Sequence, residues 1–278
     1  MKLISRFTLA SLCFMTLLFT SCKRENIAPV ADEISPAVLQ QIAAKGFDTD
    51  GVRKVAEGYL VEGDIILTDA NLSSNTTSPY LIIANVEQYR TTNLVGKPRV
   101  ITVSVSGTLE GISVWSNAAD ALISRYNALG LLISFQRADA VNTTAKGNVD
   151  IVGFNEGPSG GFITLGSSGF PDAVGNPYPE IKMNTNAQAY GTNPNQGYIT
   201  SVLQHEMGHC IGFRHTDYMN RSSCGHRKQN EGSAGIGAIW IPGTPTGFDA
   251  ESFMLACSAG TDRTFNGNDV IALNTLYK

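Results

Sequence analysis

The fold and the chemistry of this chain are decided by His205-Glu206-Met207-Gly208-His209-Cys210-Ile211-Gly212-Phe213-Arg214-His215, which holds three of the protein's four histidines. Apolar residues recur here with helical spacing, at Val202, Leu203, Met207, Cys210 and Ile211. On a helix, His205 and His209 leave the same face one turn apart, a spacing that suits two ligands of a tetrahedral zinc. Glu206 lies off that face and can act beside the metal without ligating it.

The third histidine requires the helix to end. Continued as straight helix, the six residues from His209 to His215 would carry the side chain about 9 Å along the axis. Gly212 is the residue type that adopts the left-handed conformation that ends helices, so the chain can turn back and deliver His215 to the same ion. Three protein ligands leave a fourth coordination position open, which is typical of catalytic zinc sites.

These eleven residues match the pattern HExxHxxGxxH. The chain resembles the metzincin zinc endopeptidases and is most similar to the bacterial dual-action HEIGH metallopeptidases. The resemblance implies an α+β fold, with a twisted mixed sheet, two helices including the zinc helix, and a small irregular C-terminal subdomain with one helix. It also implies that His205, His209 and His215 bind one catalytic Zn²⁺, that Glu206 is the general base, and that the substrate is a protein or peptide.

The resemblance further implies a methionine turn beneath the three imidazoles. Met254 is the candidate for this turn, and Met219 is the alternative, although Met219 follows the third ligand closely. Some metzincins have a tyrosine two residues after this methionine, where this chain has Ala256. Some have an aspartate directly after the third histidine, where Thr216 precedes Asp217 here.

A second resemblance concerns latency. Val61-Glu62-Gly63-Asp64-Ile65 is similar to the FxGDI motif of astacin propeptides, with valine in place of phenylalanine. The resemblance implies that Asp64 ligates the zinc and keeps the enzyme inactive, and a carboxylate is a suitable zinc ligand. The alternative is an aspartate in a surface hairpin turn.

The N-terminus has the pattern of an exported protein. Residues 1–21 combine a basic start with a short apolar run, which indicates a signal peptide. Cys22 after Thr20-Ser21 resembles a bacterial lipobox cysteine, with Phe19 where leucine is usual, so we expect a lipid-anchored protein on a bacterial membrane, periplasmic or at the cell surface. Plain secretion is the alternative. We assign residues 22–96 to a tether and propeptide and residues 97–278 to the peptidase domain.

Local patterns predict the remaining elements. In the N-terminal part we expect a helix from Ser35 to Lys45, a short helical stretch opened by Asp48-Thr49-Asp50, and a strand–turn–strand around Glu62-Gly63-Asp64. In the peptidase domain we expect a helix at 117–129, strands at 100–105, 131–135, 149–152 and 181–183, a substrate-pairing edge strand within 157–169, and a final helix capped by Asn266 or Asn268. Processing is expected within 71–79 or 89–98.

Cysteines and charge limit the alternatives. Cys224 and Cys257 are the expected disulfide pair, although together with His226 they could instead complete a closed, structural zinc site. The rival function is therefore a lipid-anchored binding or structural lipoprotein with a non-catalytic zinc. A net charge of −4 over 278 residues indicates no nucleic-acid partner. Oligomeric state is not predicted.

Overall fold

The computed structural model describes residues 34–73, 88–138, 147–159, 161–218, 220–225, 238–246 and 248–278. The chain divides into residues 1–33 and a compact unit of residues 34–278. The predicted signal peptide and Cys22, together with Met219 and His226, lie outside the described residues. Among the described helices, none has both the length and the apolar character needed to cross a bilayer.

The described residues of this unit form both helices and strands. The helices are α1 (Pro36–Ala44), α2 (Asp69–Ser73), α3 (Ser113–Asn127), α4 (Ala187–Tyr190), α5 (Gln196–Ile211) and α6 (Gly267–Tyr277). The strands are β1 (Arg53–Val55), β2 (Gly58–Val61), β3 (Ile65–Leu67), β4 (Tyr89–Arg90), β5 (Arg99–Val105), β6 (Ile133–Arg137), β7 (Val149–Phe154), β8 (Gly166–Ser167), β9 (Glu180–Asn184), β10 (Phe213–Arg214) and β11 (Ile239–Trp240). The predicted α+β class is confirmed.

The largest sheet has the strand order β6-β5-β7-β9-β8. Its first four strands are parallel, and only β8 runs antiparallel, at the edge beside β9. Ile101 and Val103 alternate along β5 as buried residues and join one core with the apolar faces of α3 and α5. The hydroxyl of Tyr126 on α3 donates to the carbonyl of Gln204 on α5 (2.9 Å), so the two helices are fixed to each other. This core carries the helix that holds the histidine motif.

Helix ends follow their predicted caps. Ser35 accepts a hydrogen bond from the Val38 amide at the start of α1, and Asn266 forms a capping box with Asp269 at the start of α6. The predicted strands are present, with ends shifted by one or two residues. Helix α3 begins four residues before its predicted start.

One local prediction needs correction. The short helical stretch expected from Asp48 is wrong: a turn at Gly51, whose φ is +70°, leads into strand β1. Pairing of β1 with β2 outweighs the local pattern there. The edge strand expected within 157–169 is present as β8, which is two residues long.

The N-terminal part forms its own small antiparallel sheet in the order β1-β2-β3. Its apolar side chains make a second core around Ile42, Val61 and Leu67, which also includes Phe170 from the region after β8. The N-terminal part, residues 34–73, therefore packs against the part of the chain that follows it.

Residues 88–96, which precede the predicted boundary at 97, contact the C-terminal region. Strand β4 pairs with β10 on one side and β11 on the other. Gln88 donates to Asp269 and Ser252, and Thr91 donates to the carbonyl of Gly212. The boundary at 97 remains a prediction, but residues 88–96 are held by contacts to the C-terminal region.

Candidate metal centre

Helix α5 presents the first two histidines, and Gly212 ends it. Gly212 has a φ of +115° in the left-handed region, and its amide donates to the carbonyls of Gly208 and His209. A side chain at Gly212 is also blocked, because a Cβ there would lie 2.7 Å from Leu94 Cδ2 and 3.0 Å from the Asn93 carbonyl. The chain then turns back through β10 to His215, as the sequence predicts.

Four ligand atoms converge below this turn. His209 Nε2 lies 3.1 Å from His205 Nε2 and 3.2 Å from His215 Nε2. Asp64 Oδ2 lies 3.0 Å from His215 Nε2 and 3.6 Å from His205 Nε2. Zinc–ligand bonds of about 2.0–2.1 Å define a tetrahedron whose corners are about 3.3–3.4 Å apart. The residues therefore fit a zinc ion with all four positions supplied by the protein.

The far nitrogens of two ligands are held by backbone carbonyls. His205 Nδ1 lies 2.9 Å from the Phe253 carbonyl, and His209 Nδ1 lies 2.9 Å from the Phe213 carbonyl. A carbonyl accepts only, so each Nδ1 carries the proton and each Nε2 offers its lone pair to a metal. Burial lowers the pKa of His209 well below its usual range, and the neighbouring His205 and His215 lower it further, which keeps the ring neutral as ligation requires.

Asp64 reaches the histidines from a tight turn between β2 and β3. Its carbonyl accepts from the Ser168 amide (2.9 Å), and the Ile66 amide donates to the Ser168 carbonyl (2.6 Å), so the turn is pinned to the sheet edge next to β8. Burial raises the pKa of Asp64, but the charge of His215 and hydrogen bonds with His205 and His215 outweigh it and hold the pKa well below its usual range. These hydrogen bonds use protons at Nε2, whose place a zinc ion would take. Asp64 is therefore ionised, as a metal ligand must be.

Glu206 lies beside the ligands and is buried. Its Oε2 accepts a 2.7 Å hydrogen bond from the Ser168 hydroxyl, which also donates to the Glu206 carbonyl (3.0 Å). Gly166 makes room for the carboxylate, because a Cβ at Gly166 would lie 2.9 Å from Glu206 Oε1. Burial raises the pKa of Glu206 well above its usual range, and the nearby Asp64 charge raises it further. Sequence reasoning missed Ser168 and Gly166, which were part of a glycine- and serine-rich stretch.

Met254 lies directly under the zinc helix. It is fully buried, and a Cβ at Gly208 would lie 2.4 Å from Met254 Sδ. The Met254 carbonyl accepts from the Thr216 amide at 2.9 Å, which ties the turn to the residue after the third histidine. Met254 therefore packs against the zinc helix, and its role as the methionine turn stays a prediction.

The turn is held from the other side by Asp269. One oxygen of this buried carboxylate accepts from Gln88 Nε2 (2.6 Å) and Ser252 Oγ (3.0 Å). The other accepts from the amides of Phe253 (3.2 Å) and Asn266 (3.0 Å). Burial raises the pKa of Asp269 to about 6. The sequence offered no signal for this role beyond the position of Asp269 in the first turn of α6.

Cys224 and Cys257 are joined by a disulfide. Asp217 supports the same region, since its Oδ1 accepts from the Ala256 amide (2.9 Å) and its Oδ2 accepts from the Ser223 hydroxyl (2.6 Å). Bonded to each other, the two cysteines are not thiolate ligands for a structural metal. Within the described parts of the chain, the four-residue group around Asp64 is the one cluster of metal-ligating side chains.

A cleft of about 450 Å³ runs alongside this centre. Two parts of the chain line it. The catalytic part, which begins at residue 88, contributes His205, Glu206 and Leu255 among others. The N-terminal part, residues 34–73, contributes Arg53 and Asp64. Arg53 also donates to Thr164 (3.2 Å) and forms an ion pair with Glu156, so the N-terminal part bridges the cleft. In this state the N-terminal part occupies the space beside the metal ligands.

Comparison with known proteins gives the following matches. No curated protein matches the chain. Among solved structures, myroilysin is similar with 14% identity and a TM-score of 0.41, over 67% of this chain and 96% of that one. High choriolytic enzyme 1, a hatching enzyme zinc-protease from Oryzias latipes (Medaka fish), is similar with 15% identity and a TM-score of 0.37, over 66% of this chain and 93% of that one.

The family of this chain is assigned from its amino-acid sequence. Residues 60–277 match the model of the family described as dual-action HEIGH metallo-peptidase. This range begins before Asp64 and includes the whole histidine motif. The chain therefore belongs to the dual-action HEIGH metallo-peptidase family, and its predicted identification as a zinc metallopeptidase is confirmed.

Proposed function

We propose that this peptidase is an exported zinc endopeptidase made as a latent precursor, in which Asp64 occupies the coordination position that catalysis needs. The observation that carries the proposal is the approach of Asp64 Oδ2 to within 3.0 Å of His215 Nε2 and 3.6 Å of His205 Nε2. With Asp64 in place, the four side chains would fill all four coordination positions of a zinc ion. With Asp64 withdrawn, His205, His209 and His215 would leave one position open.

His205, His209 and His215 would hold the zinc, which would supply polarisation of the scissile carbonyl and a water molecule of lowered pKa. Glu206 is placed to accept the proton of that water and pass it to the leaving amine. A buried carboxylate with a raised pKa is a stronger base than one in water, which suits this task. Ser168 orients the carboxylate by its 2.7 Å hydrogen bond, so the proton is received at a defined place.

The N-terminal part also blocks the backbone on which an extended peptide would lie. Ser168 continues the β8 edge, and its amide and carbonyl are both engaged by the segment from Asp64 to Ile66. Peptide substrates commonly bind by adding a strand to such an edge. Full activation therefore needs the N-terminal part to leave the edge as well as the metal, and loss of Asp64 from the metal gives part of it.

An activating cut between the two parts is predicted within 71–79 or within 89–98, and the first of these segments is the better candidate. Within 89–98, Tyr89 and Val95 are buried and β4 is paired on both sides, so a protease would have to unfold this segment first. Within 71–79, helix α2 ends at Ser73, and the residues that follow are rich in serine, threonine and asparagine. We therefore place the processing site after α2.

Export and anchoring rest on the first 22 residues. The basic start, the short apolar run and Cys22 after two small residues support a lipid-anchored protein on a bacterial membrane. A disulfide between Cys224 and Cys257 agrees with an oxidising compartment outside the cytoplasm. The expected partners are a protein or peptide substrate and, through the anchor, a membrane.

The deciding experiment compares the uncut chain with its Asp64→Ala variant. Zinc content is counted by native mass spectrometry, and cleavage of an unstructured protein substrate is followed over time. We expect one zinc in both proteins and a rise of at least about 100-fold in the activity of the uncut variant, because one full ligand position is opened. Asp69→Ala is the matched control, since Asp69 is an exposed aspartate of the same N-terminal part. Equal activity in Asp64→Ala and Asp69→Ala would refute latency through Asp64, and absence of zinc from the wild type would refute the metal centre itself.

A further inference from the structure

We infer that Arg214 forms a substrate subsite that binds an acidic side chain close to the bond that is cut. The inference rests on the proposed function, because it treats the described N-terminal part, residues 34–73, as the pro-segment that fills the cleft in place of a substrate. The chemistry that the pro-segment presents to the catalytic part then indicates what a substrate presents.

One turn of the pro-segment delivers two carboxylates to two successive residues of the zinc motif. Asp64 reaches His215, and Glu62 reaches Arg214, whose Nη2 lies 3.9 Å from Glu62 Oε2. Both side chains of the Glu62–Arg214 pair are fully buried. Glu62 also adopts a φ of +57°, in the left-handed region that non-glycine residues rarely enter. The turn is therefore strained at the residue that places a carboxylate on this arginine.

Part of the cover of Arg214 comes from the pro-segment. Its guanidinium carbon lies 4.5 Å from the ring centroid of Phe47 and 5.9 Å from that of Tyr218. Phe47 and Glu62 leave with the pro-segment, whereas Tyr218 remains. The backbone of Arg214 also remains, because β10 pairs with β4 in the catalytic part.

Removal of the pro-segment thus takes the Glu62 carboxylate away from an arginine whose backbone stays paired in β10. Separating a buried arginine from its carboxylate is unfavourable, and a planar guanidinium binds carboxylates with matched geometry. The vacated place lies next to His215, and Glu62 itself lines the cleft. A substrate that carries aspartate or glutamate at the corresponding place restores the ion pair.

The pro-segment brings mostly carboxylates to the cleft. It lines the cleft with Asp50, Glu62 and Asp64 and with one cation, Arg53. The catalytic part lines it with two arginines and two carboxylates, Arg221, Arg263, Glu156 and Glu206, and Glu156 pairs with Arg53. The segment that fills the cleft is therefore itself an acidic ligand.

The test uses the whole chain with a specific protease site inserted within residues 74–87, folded first, then cut and freed of its pro-segment. Paired peptides carry either glutamate or glutamine at one of the three positions on each side of the scissile bond. At one position we expect kcat/KM to be at least about tenfold higher for the glutamate peptide. In Arg214→Met that ratio falls to about one, whereas in Arg99→Met, which changes an arginine bonded to Gly175 and Asn176, it is retained.

A purely structural role for Arg214 lowers kcat/KM for both peptides alike and leaves their ratio unchanged, which would overturn the inference. A wild-type ratio near one at every position would overturn it without any variant. The ratio of kcat/KM between the glutamate and glutamine peptides in the wild type therefore tests the subsite even if Arg214→Met does not fold.

A binding assay separates this inference from the proposed function. The cut, zinc-loaded Glu206→Ala protein is titrated with a labelled peptide of residues 58–68 and with its Glu62→Gln form, and fluorescence anisotropy gives the two Kd values. Binding of the unchanged peptide at least about tenfold more tightly upholds the subsite even if no peptide is ever cleaved, the outcome in which the proposed function fails. Equal Kd values overturn the subsite, whatever the activity.

Discussion

Replacing Gly208 with alanine tests whether the methionine turn supports the zinc helix. A Cβ at this position would lie 2.4 Å from Met254 Sδ and 2.8 Å from Phe253 Cε2. The Phe253 carbonyl in turn accepts the hydrogen bond from His205 Nδ1. Any movement of the turn away from the helix therefore also displaces the group that orients a metal ligand.

Two effects of opposite sign determine the size of the change. Alanine favours a helix interior over glycine by about 1 kcal/mol. Overpacking a well-filled core costs about 1–3 kcal/mol. Both clashing residues are buried, and one of the clashing atoms belongs to an aromatic ring, so we take the upper part of that range. The expected net loss in the free energy of unfolding is about 1–2 kcal/mol.

The assay is urea unfolding of the uncut chain, with zinc bound, for Gly208→Ala, Met254→Ala and the double variant. Removing the Met254 side chain makes room for the new methyl group, so the double variant is more stable than the sum of the single effects by about 1–3 kcal/mol. Gly267→Ala is the control, because Gly267 lies at the start of α6 with nothing within 4 Å of its would-be Cβ. A Gly208→Ala protein as stable as wild type, with strictly additive effects, would refute the packing argument.

Two further predictions concern buried carboxylates. Glu206→Ala is expected to keep one zinc by native mass spectrometry and to lose peptide cleavage by at least about 100-fold, because the proton acceptor is gone; turnover at the wild-type rate would rule out Glu206 as the base. Asp269 has a folded-state pKa of about 6 against 3.8 when unperturbed. Between these two values the folded state retains a proton that the unfolded state has lost. The stabilisation that protonated Asp269 gives the folded state is therefore fully present below pH 4 and is lost as the pH rises through 6. The 2.2-unit difference corresponds to about 3 kcal/mol. The unfolding free energy of the wild type relative to Asp269→Asn should fall by this amount between pH 4 and pH 7, and a pH-independent difference would contradict the shift.

The metal ligands were predictable because their chemistry is local in sequence. Helical spacing fixes His205 and His209, and Gly212 limits where His215 can go, so eleven residues specify three corners of a tetrahedron. Caps were predictable for the same reason, as Asn266 shows at the start of α6. The short helical stretch expected from Asp48 was not, because pairing of β1 with β2 outweighs the local pattern.

Residues that support the site from distant positions in the sequence show no local pattern of this kind. Ser168 lies 38 positions from Glu206, and Gln88 lies 181 positions from Asp269. No local pattern marks a serine that will orient a carboxylate or a glutamine that will join a buried hydrogen-bond network. Such contacts arise only when the sheet register and the packing of α6 bring the partners together.

Ser168 connects the two halves of the proposed function. Its hydroxyl donates to the Glu206 carboxylate, while its amide and carbonyl bond the backbone at the two ends of the Asp64–Ile66 segment. A substrate that adds a strand at this edge would use the same amide and carbonyl and would lie within reach of the same carboxylate. Pro-segment and substrate therefore compete for the edge once Asp64 no longer holds the metal. On this reasoning Asp64→Ala opens the coordination site and weakens the hold of the pro-segment on the edge, so the activity of the uncut chain rises but stays below that of the chain cut after α2.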